Sequence, residues 1–385
     1  MNARITSKFR YPARTVLALV LLVVVAFLFW TGSRYPDLND KALMGGSIQL
    51  QDPLSFEARY QIDPSWAIWK KIGFTTLNWI FTNLRGMTFG VLFGAGMLTL
   101  LRYLPKRGFK NGFANSFAGF LIGAPLGVCV NCAAPIAAGM YTGGSRAETT
   151  LSAMIASPTF NVIVLSMAIS LFPFYLVVIK VALTLLIILV IIPLLCRLLP
   201  KNQLSLADDQ VNACVVAPKE IDSEIMEQPE QVVTGFIQDF AKNLWFIIKM
   251  TVPLMFLAGL LGATLATLVP FEWFSGLPVN AVTLISAAVV GILAPVPIGF
   301  DIILAAVLLA SGTKTTIVMV LLFTLGSYSI YSHIVVSRTI SSRIAIYLAA
   351  SIIVTAIIGG IGAGLYDDWQ INQGMKALGV FGVIE

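Results

Sequence analysis

Two cysteines separated by two residues are the part of this sequence best suited to chemistry. Cys129 and Cys132 lie in the run Gly123-Ala-Pro-Leu-Gly-Val-Cys-Val-Asn-Cys-Ala-Ala-Pro-Ile-Ala-Ala-Gly139. Two thiols at this spacing can chelate a soft metal or metalloid, or they can close into a redox disulfide. One pair cannot complete a tetrahedral zinc site, and we interpret Cys196 and Cys214 as incidental. The plainer alternative is that both cysteines are small buried side chains.

Prolines and glycines around the cysteines predict a helix that breaks inside the membrane. Pro125 and Gly127 stop one helix, and Pro135 suits the first turn of the next. A helix that begins near Ala133 would point its free N–H groups at the Cys132 sulphur and favour the thiolate. Broken backbone at membrane depth is tolerated only where protein encloses it or where it lines a wet cavity. The break would hold Cys129, Asn131 and Cys132.

A second break is predicted at Ala294-Pro-Val-Pro-Ile-Gly-Phe-Asp301. A carboxylate buried in a membrane is costly, which makes Asp301 a functional candidate by default. It would bind a cation, take up a proton, or pair with a buried base, for which Lys249 and Arg85 are the candidates. His333 is the single histidine and titrates near neutral pH, so it is a second candidate for coupling. A histidine that only bonds a backbone carbonyl explains it equally well.

Two polar stretches complete the predicted site. Pro158 in Ser157-Pro-Thr-Phe-Asn161 frees carbonyls that neighbouring hydroxyl and amide groups can bond, and Gly326-Ser-Tyr-Ser-Ile-Tyr331 is its counterpart. Two polar notches facing two broken helices would form a pocket, although a kink with local hydrogen bonds is the alternative. No catalytic residue and no cofactor is predicted. The predicted substrate-binding residues are Cys129, Asn131, Cys132, Ser157, Asn161 and Asp301, with Asp301 and His333 for coupling and Cys129 and Cys132 as metal ligands.

Composition identifies the class of protein that positions these residues. The 385 residues are 57% hydrophobic and only 11% charged, which argues against a soluble enzyme. The net charge of +6 is spread in short clusters beside apolar runs and not on one face, so no nucleic-acid partner is expected. The sequence predicts an all-α polytopic membrane protein whose surroundings are the lipid bilayer.

Apolar runs of about 20 residues predict nine membrane spans. Placing Ala124-Pro125 on Ala294-Pro295 aligns Asn131 with Asp301, which predicts an N-terminal anchor helix followed by two related four-helix repeats with broken helices. Four spans in each repeat would make the repeats parallel, provided that 113–140 crosses fully and is not re-entrant. The predicted divisions are 1–78 (anchor helix and extracytoplasmic segment), 79–197 (first repeat), 198–232 (polar acidic linker) and 233–385 (second repeat).

Basic clusters set the expected orientation. Arg4, Lys8, Arg10 and Arg14 precede the first span, and Arg102, Lys106, Arg107 and Lys110 follow the second. Because positive residues stay inside, we predict a multi-pass protein of the bacterial inner (plasma) membrane with a cytoplasmic N-terminus. The acidic linker and the C-terminus are then expected outside.

Three runs in the first half carry a family resemblance. They are Cys129-Val-Asn-Cys132-Ala-Ala-Pro135-Ile-Ala-Ala-Gly139, Gly143-Gly144-Ser145 and Ala156-Ser157-Pro158-Thr159-Phe160-Asn161. They resemble a family of bacterial predicted permeases that includes the trivalent organoarsenical efflux permeases. The resemblance is best over about residues 85–197 and weaker over 244–365. It implies about eight core helices in the inner membrane and a transport role. In the arsenical members cysteines hold the metalloid, and by matching position the resemblance gives that role to Cys129 and Cys132.

The sequence therefore predicts a permease and not an enzyme. It would be a secondary transporter that exports a thiophilic metalloid or a sulphur-reactive small solute, with an extracytoplasmic partner among its expected contacts. The alternative is a membrane thiol–disulfide oxidoreductase in which Cys129 and Cys132 cycle against a quinone or a periplasmic thioredoxin. A channel or assembly subunit also fits the composition but leaves the paired breaks unexplained. Substrate, direction, coupling ion and oligomeric state stay open.

Overall fold

The structure is a computed structural model that describes residues 12–36, 59–104, 109–198, 229–268, 273 and 276–377. Within these ranges the chain is helical and contains no strand, which confirms the all-α class. The predicted linker falls mostly on 199–228, which lie outside the described residues, as does Cys214. The first helices are α1 (Pro12–Phe29), α2 (Ile68–Tyr103), α3 (Gly112–Gly123), α4 (Val130–Thr142), α5 (Ala147–Thr159), α6 (Val162–Leu171), α7 (Phe174–Leu186) and α8 (Ile192–Leu198). The remaining helices are α9 (Pro229–Leu268), α10 (Ala281–Leu293), α11 (Phe300–Ala310), α12 (Thr315–Ser327), α13 (Ile330–Thr339) and α14 (Ser342–Ala377).

The prediction of nine full spans is wrong. Among the described residues, five helical segments are long and apolar enough to cross a membrane, namely α1, α2, α7 with α8, α9 and α14. Two bent pairs, α5 with α6 and α12 with α13, raise the number to seven if each pair is one span. The two pairs bend by 48° and 43°, respectively. The two predicted spans that are missing are the Pro- and Gly-rich stretches around 113–140 and 281–310, which do not form single long helices.

Helix α3 lies beside α5 and runs in the same direction. The backbone of Thr149 lies against Gly119, and that of Ala153 lies against Gly123. Both α3 positions are glycine because a Cβ atom would overlap the neighbouring carbonyl oxygen. Such close backbone approach between small residues is typical of helix pairs in membranes.

Helix α4 runs opposite to α5. A short turn at 143–146 joins the end of α4 to the start of α5, and Val128, just before α4, donates its N–H to Ser157 Oγ near the end of α5 (3.1 Å). Since α3 is parallel to α5, α3 and α4 run in opposite directions. The segment 113–140 therefore returns to the side from which it enters and is re-entrant. We call α3, α4 and the connecting residues 124–129 the first hairpin, with 124–129 as its tip.

The second half contains the same arrangement. The end of α10 packs on the end of α12 through Gly291 and Thr324, so these two helices are parallel. The start of α11 meets the end of α12, where a Cβ atom on Gly326 would lie 2.5 Å from Asp301 Oδ2. Helices α10 and α11 therefore form a second hairpin, with residues 294–299 as its tip.

The two halves run in opposite directions across the bundle. Helices α2 and α9 are antiparallel because Tyr103 near the end of α2 bonds Asp239 near the start of α9 (2.7 Å), while Trp79 packs on Gly259. The predicted parallel halves are thus wrong, since a re-entrant hairpin leaves three crossings in each half and reverses the second. The order of helices is the same in both halves, while duplication of the sequence stays a prediction.

The end of α8 and the start of α9 lie on the side of α1's first residues. Arg14 at the start of α1 forms an ion pair with Asp239 of α9 (3.0 Å), and Pro193 near the end of α8 lies beside Gly112 at the start of α3. The described residues that flank the linker, 198 and 229, therefore lie on the same side as the start of α1, because the first hairpin does not cross. The linker itself, 199–228, lies outside the described residues.

Side-specific labelling tests the re-entrant fold. In a background with the four native cysteines replaced by serine, Lys110→Cys and Arg146→Cys flank the first hairpin. Both should react with a membrane-impermeant maleimide from the same side of sealed vesicles, because the hairpin returns. Ser311→Cys, beyond the second hairpin, should react from the other side only. Opposite accessibility of Lys110→Cys and Arg146→Cys would show that the segment crosses.

Candidate functional site

The side chain of Asn131 joins the two hairpins. Its Nδ2 donates to the carbonyl of Val296 in the second tip (3.0 Å), and its Oδ1 accepts from Ser329 Oγ (2.9 Å). Ser329 lies in the bend between α12 and α13, residues 328–329, which we call the second notch. Asn131 is fully buried. One amide therefore ties the first hairpin, at the start of α4, to the second tip and to the second notch.

Serines continue this contact along the backbone. Ser329 Oγ accepts from the N–H of Ser332 (3.2 Å) and caps α13, and Ser332 Oγ donates to the carbonyl of Val130 (3.1 Å). The N-terminal ends of α4 and α13 thus face each other. The first backbone N–H groups of both helices, which have no partner within their own helix, are therefore gathered at the contact between α4 and α13.

The cysteines lie at the start of α4, but not as predicted. The helix begins at Val130 and not near Ala133, and the capping sulphur belongs to Cys129, which accepts from the N–H of Cys132 (3.2 Å). Pro135 lies inside the helix and not in its first turn, because the cysteine cap starts the helix earlier. Both cysteines are buried, and no disulfide joins them.

A tyrosine phenol lies near both thiols. The phenol of Tyr331 lies within electrostatic range of both sulphurs and donates to the carbonyl of Thr251 (3.3 Å). Among the described residues, no group of three or more His, Cys, Asp or Glu side chains is arranged to hold a metal ion.

The first tip presses against the bend between α5 and α6, residues 160–161, which we call the first notch. Ser157 Oγ accepts from Val128 N–H, and Asn161 Oδ1 accepts from Val164 N–H (3.3 Å). Gly127 adopts a left-handed backbone with φ of +58°, and a Cβ atom there would overlap Asn161 Nδ2. The predicted polar stretch therefore faces the predicted break.

Asp301 forms an ion pair with Lys180 of α7, and both side chains are buried. Lys180 Nζ also donates to the carbonyl of Leu322 in α12 (3.1 Å). The predicted partners were wrong: Lys249 is exposed and lies 5.1 Å from the centre of the Trp245 ring. Sequence reasoning missed Lys180 as a site residue, although a lysine within an apolar span is as costly as a carboxylate there.

Tryptophans hold both tips from outside the hairpins. Trp30, just after α1, donates its indole N–H to the carbonyl of Leu126 in the first tip (3.0 Å). Trp79 of α2 donates to the carbonyl of Pro295 in the second tip and is completely buried. Tip carbonyls that a regular helix would satisfy are paired by these side chains.

Three buried hydroxyl groups in and beside the notches have no hydrogen-bond partner among the described residues. Thr159 lies at the first notch, while Ser327 and Tyr328 lie at the second. Each side chain is at most 1% exposed. An unpaired buried hydroxyl costs about 1–3 kcal/mol, so these groups indicate places where a solute or water would bond.

The structure brings most of the predicted residues together, but in two groups. One group surrounds the first tip. Asp301 is separate, at the base of α11 beside Lys180, and the second tip connects it to Asn131. His333 is half-buried with its ring edge-on to Tyr328, the ring centres 6.0 Å apart, and no described hydrogen bond or ion pair joins it to Asp301. The first group is Cys129, Asn131, Cys132, Ser157 and Asn161.

A family model described as a predicted permease, ArsP_1, matches residues 98–364, which span from the end of α2 into α14. No curated protein and no solved structure matches the chain significantly.

Gly127→Ala tests the contact between the first tip and the first notch. We expect a loss of about 1–2 kcal/mol from the left-handed backbone and about 1–3 kcal/mol more from overlap with Asn161. Gly276→Ala is the matched control, since Gly276 also has a positive φ, +81°, but open space around it. Unfolding of the purified protein in detergent measures both losses. Equal losses for the two variants would contradict the close contact.

Proposed function

Because the chain belongs to the predicted permease family ArsP_1, we propose that it is a secondary transporter that carries a small solute through the place where the two hairpin tips meet. The observation that carries this proposal is the amide of Asn131, which joins two re-entrant hairpins entering from opposite sides. Secondary transporters commonly place their site at such broken helices, between inverted halves and near the membrane midplane.

The arrangement suits alternating access. The first hairpin stands between the meeting point and the side of the N-terminus, and the second hairpin stands between it and the other side. Movement of either hairpin alone would open the site to one side only. The bonds of Asn131 to Val296 and Ser329 hold both tips in place in the closed arrangement.

We infer that the N-terminal side faces the cytoplasm. Helix ends and turns on that side carry the larger basic cluster, and positive residues favour the cytoplasmic face of an inner membrane. The described basic residues there include Arg14, Arg102, Arg146, Arg197, Arg338 and Arg343, against Arg59, Lys70, Lys71 and Lys314 on the other side.

The proposed substrate class is a thiophilic metalloid or a sulphur-reactive small solute, with Cys129 and Cys132 as its ligands. Two adjacent sulphurs bind soft elements in preference to hard cations. The N–H groups of α4's first turn add a positive end beside Cys129, which suits it to act as a thiolate ligand. Asn131, Ser157 and Asn161 supply the polar lining.

Replacement of both cysteines tests the substrate class. Cys129→Ser/Cys132→Ser should lower the efflux of a trivalent organoarsenical from cells by about tenfold or more, because the variant removes both soft ligands that would chelate the arsenic. Efflux is measured as intracellular arsenic after loading. Cys196→Ser is the matched control, since Cys196 is also buried but lies at the end of α8. Unchanged efflux in the double variant would remove the sulphurs from the mechanism.

A second candidate function, thiol–disulfide exchange, has one observation in its favour. The two cysteines are placed as cap and third residue of a helix, with Cys129 accepting from the Cys132 N–H. Such a helix start lowers the energy of a thiolate in redox proteins. In this role the pair would pass electrons to a quinone or a thioredoxin-like partner.

Alkylation separates this alternative from transport. Membranes are treated with a maleimide reagent before and after reduction, and the mass of the peptide that contains Cys129 and Cys132 is determined. For a transporter we expect full alkylation without reductant once the protein is denatured. A pair that is protected until reduction would instead support the oxidoreductase.

A further inference from the structure

The ion pair between Lys180 and Asp301 fastens one half of the protein to the other. Lys180 belongs to α7 in the first half, and Asp301 is in the first turn of α11 in the second hairpin. Lys180 side-chain exposure is 3% and that of Asp301 is 7%. Such buried pairs are weak evidence for stability, because desolvation offsets most of the attraction. In a membrane they mark ion and proton sites.

We propose that Lys180 and Asp301 form the proton-coupling site of the permease, with Lys180 as the internal cation that holds the carboxylate while no proton is bound. This inference rests on the proposed transport function. A proton that reaches Asp301 converts the carboxylate to a carboxylic acid and breaks the ion pair. Lys180 keeps its bond to the Leu322 carbonyl, and the site gains one positive charge. Loss of the proton to the other side restores the neutral pair.

The ion pair has two charge states, because the nearest helices bring no other charge that could compensate for a proton. Helices α11 and α12 bring no other charged side chain, and α6 brings none among its described residues. Removing or adding one proton therefore changes the net charge of this buried place by a whole unit. Among the side chains that the structure describes, the other titratable or charged groups on packed elements are Tyr175 on α7, Glu148 on α5, Tyr328, Tyr331, His333 and Arg338 at α12 and α13, and Arg343, Tyr347, Tyr366, Asp367 and Asp368 on α14.

Gly326 of α12 provides the space that the pair occupies. A Cβ atom at this position would lie 2.5 Å from Asp301 Oδ2 and 2.8 Å from Lys180 Nζ. The next two residues, Ser327 and Tyr328, carry buried hydroxyl groups that have no partner in the described structure. Hydroxyl groups that can both donate and accept are suited to passing a proton through bound water.

The position of the pair explains how a proton would open the site. Asp301 lies at the start of α11, directly after the second tip, so the ion pair anchors the second hairpin to α7. The second hairpin closes the site toward the side opposite the N-terminus. Protonation from that side would release this hairpin and leave the first hairpin closed, as coupled exchange requires.

A charge-displacement experiment on the full chain in liposomes tests the proposal without a solute. Proteoliposomes adsorbed on a solid-supported membrane receive a step from about pH 7.5 to about pH 6, which lies within the physiological window of about pH 5–8. The wild type should give a transient inward movement of positive charge, and Asp301→Asn should lose at least about nine tenths of it. Asp367→Asn, which removes a carboxylate bonded to Tyr175 and Thr315, is the matched control and should keep it.

Variants of Lys180 separate a proton site from a structural pair. Lys180→Gln should keep a charge movement in response to the pH step, because the carboxylate of Asp301, which takes up the proton, is still present. Asp301→Asn/Lys180→Gln leaves no unpaired buried charge, so it keeps the test valid if Asp301→Asn alone does not fold. The double variant should be folded and electrically silent.

Outcomes for coupling and for transport can be told apart. An undiminished charge movement in folded Asp301→Asn/Lys180→Gln, or no movement in the wild type, would overturn the coupling site even if arsenical efflux is present. A movement that depends on Asp301, in a protein that carries no arsenical, would uphold the coupling site and remove only the proposed substrate.

Discussion

Unsatisfied backbone inside a membrane is the constraint on which this structure depends. Each helix break exposes N–H and C=O groups that lipid cannot bond, so every break must find partners within the protein. The structure meets this need by bringing the breaks together. Asn131 bonds the second tip and the second notch, Ser157 bonds the first tip, and tryptophans bond a carbonyl in each tip. A polar site in the centre of the bundle follows from the breaks themselves.

Glycine positions determine how closely the hairpins approach the long helices. A Cβ atom on Gly90 or Gly94 of α2 would lie 2.5 Å from a carbonyl oxygen of α4, at Cys132 and Pro135 respectively. Helix α4, with both cysteines at its start, can therefore lie directly on α2 and run parallel to it. Small residues allow the two helix backbones to approach closely here, as they do at other helix contacts in membranes. The location of the sulphurs is consequently determined by α2 as much as by their own helix.

Much of the site could be predicted from sequence, but its topology could not. Prolines and glycines identify both breaks, and polar residues within apolar runs identify Asn131, Ser157 and Asp301, because each rule concerns a local cost. Hydropathy measures the length of an apolar run but not whether the chain crosses the membrane or turns back within it. The sequence therefore predicts that 113–140 crosses. The partner of Asp301 was missed because Lys180 is 121 positions away along the chain. Only the inverted packing of the halves places them together.

Two ties between the halves differ in how they respond to protons. The tie through Asn131 uses a neutral amide and serine hydroxyl groups, which do not titrate at any physiological pH. Its hydrogen bonds therefore break only when the helices move apart, and not in response to protons. The tie through Lys180 and Asp301 consists of two charges whose attraction vanishes when one is neutralised. A fold that needed only rigidity could use two neutral ties and avoid the cost of burying charge. The second hairpin carries one neutral tie at its tip and one ionic tie in the first turn of α11, directly after the tip. This combination favours a hairpin that a proton releases while its tip stays aligned with the central site.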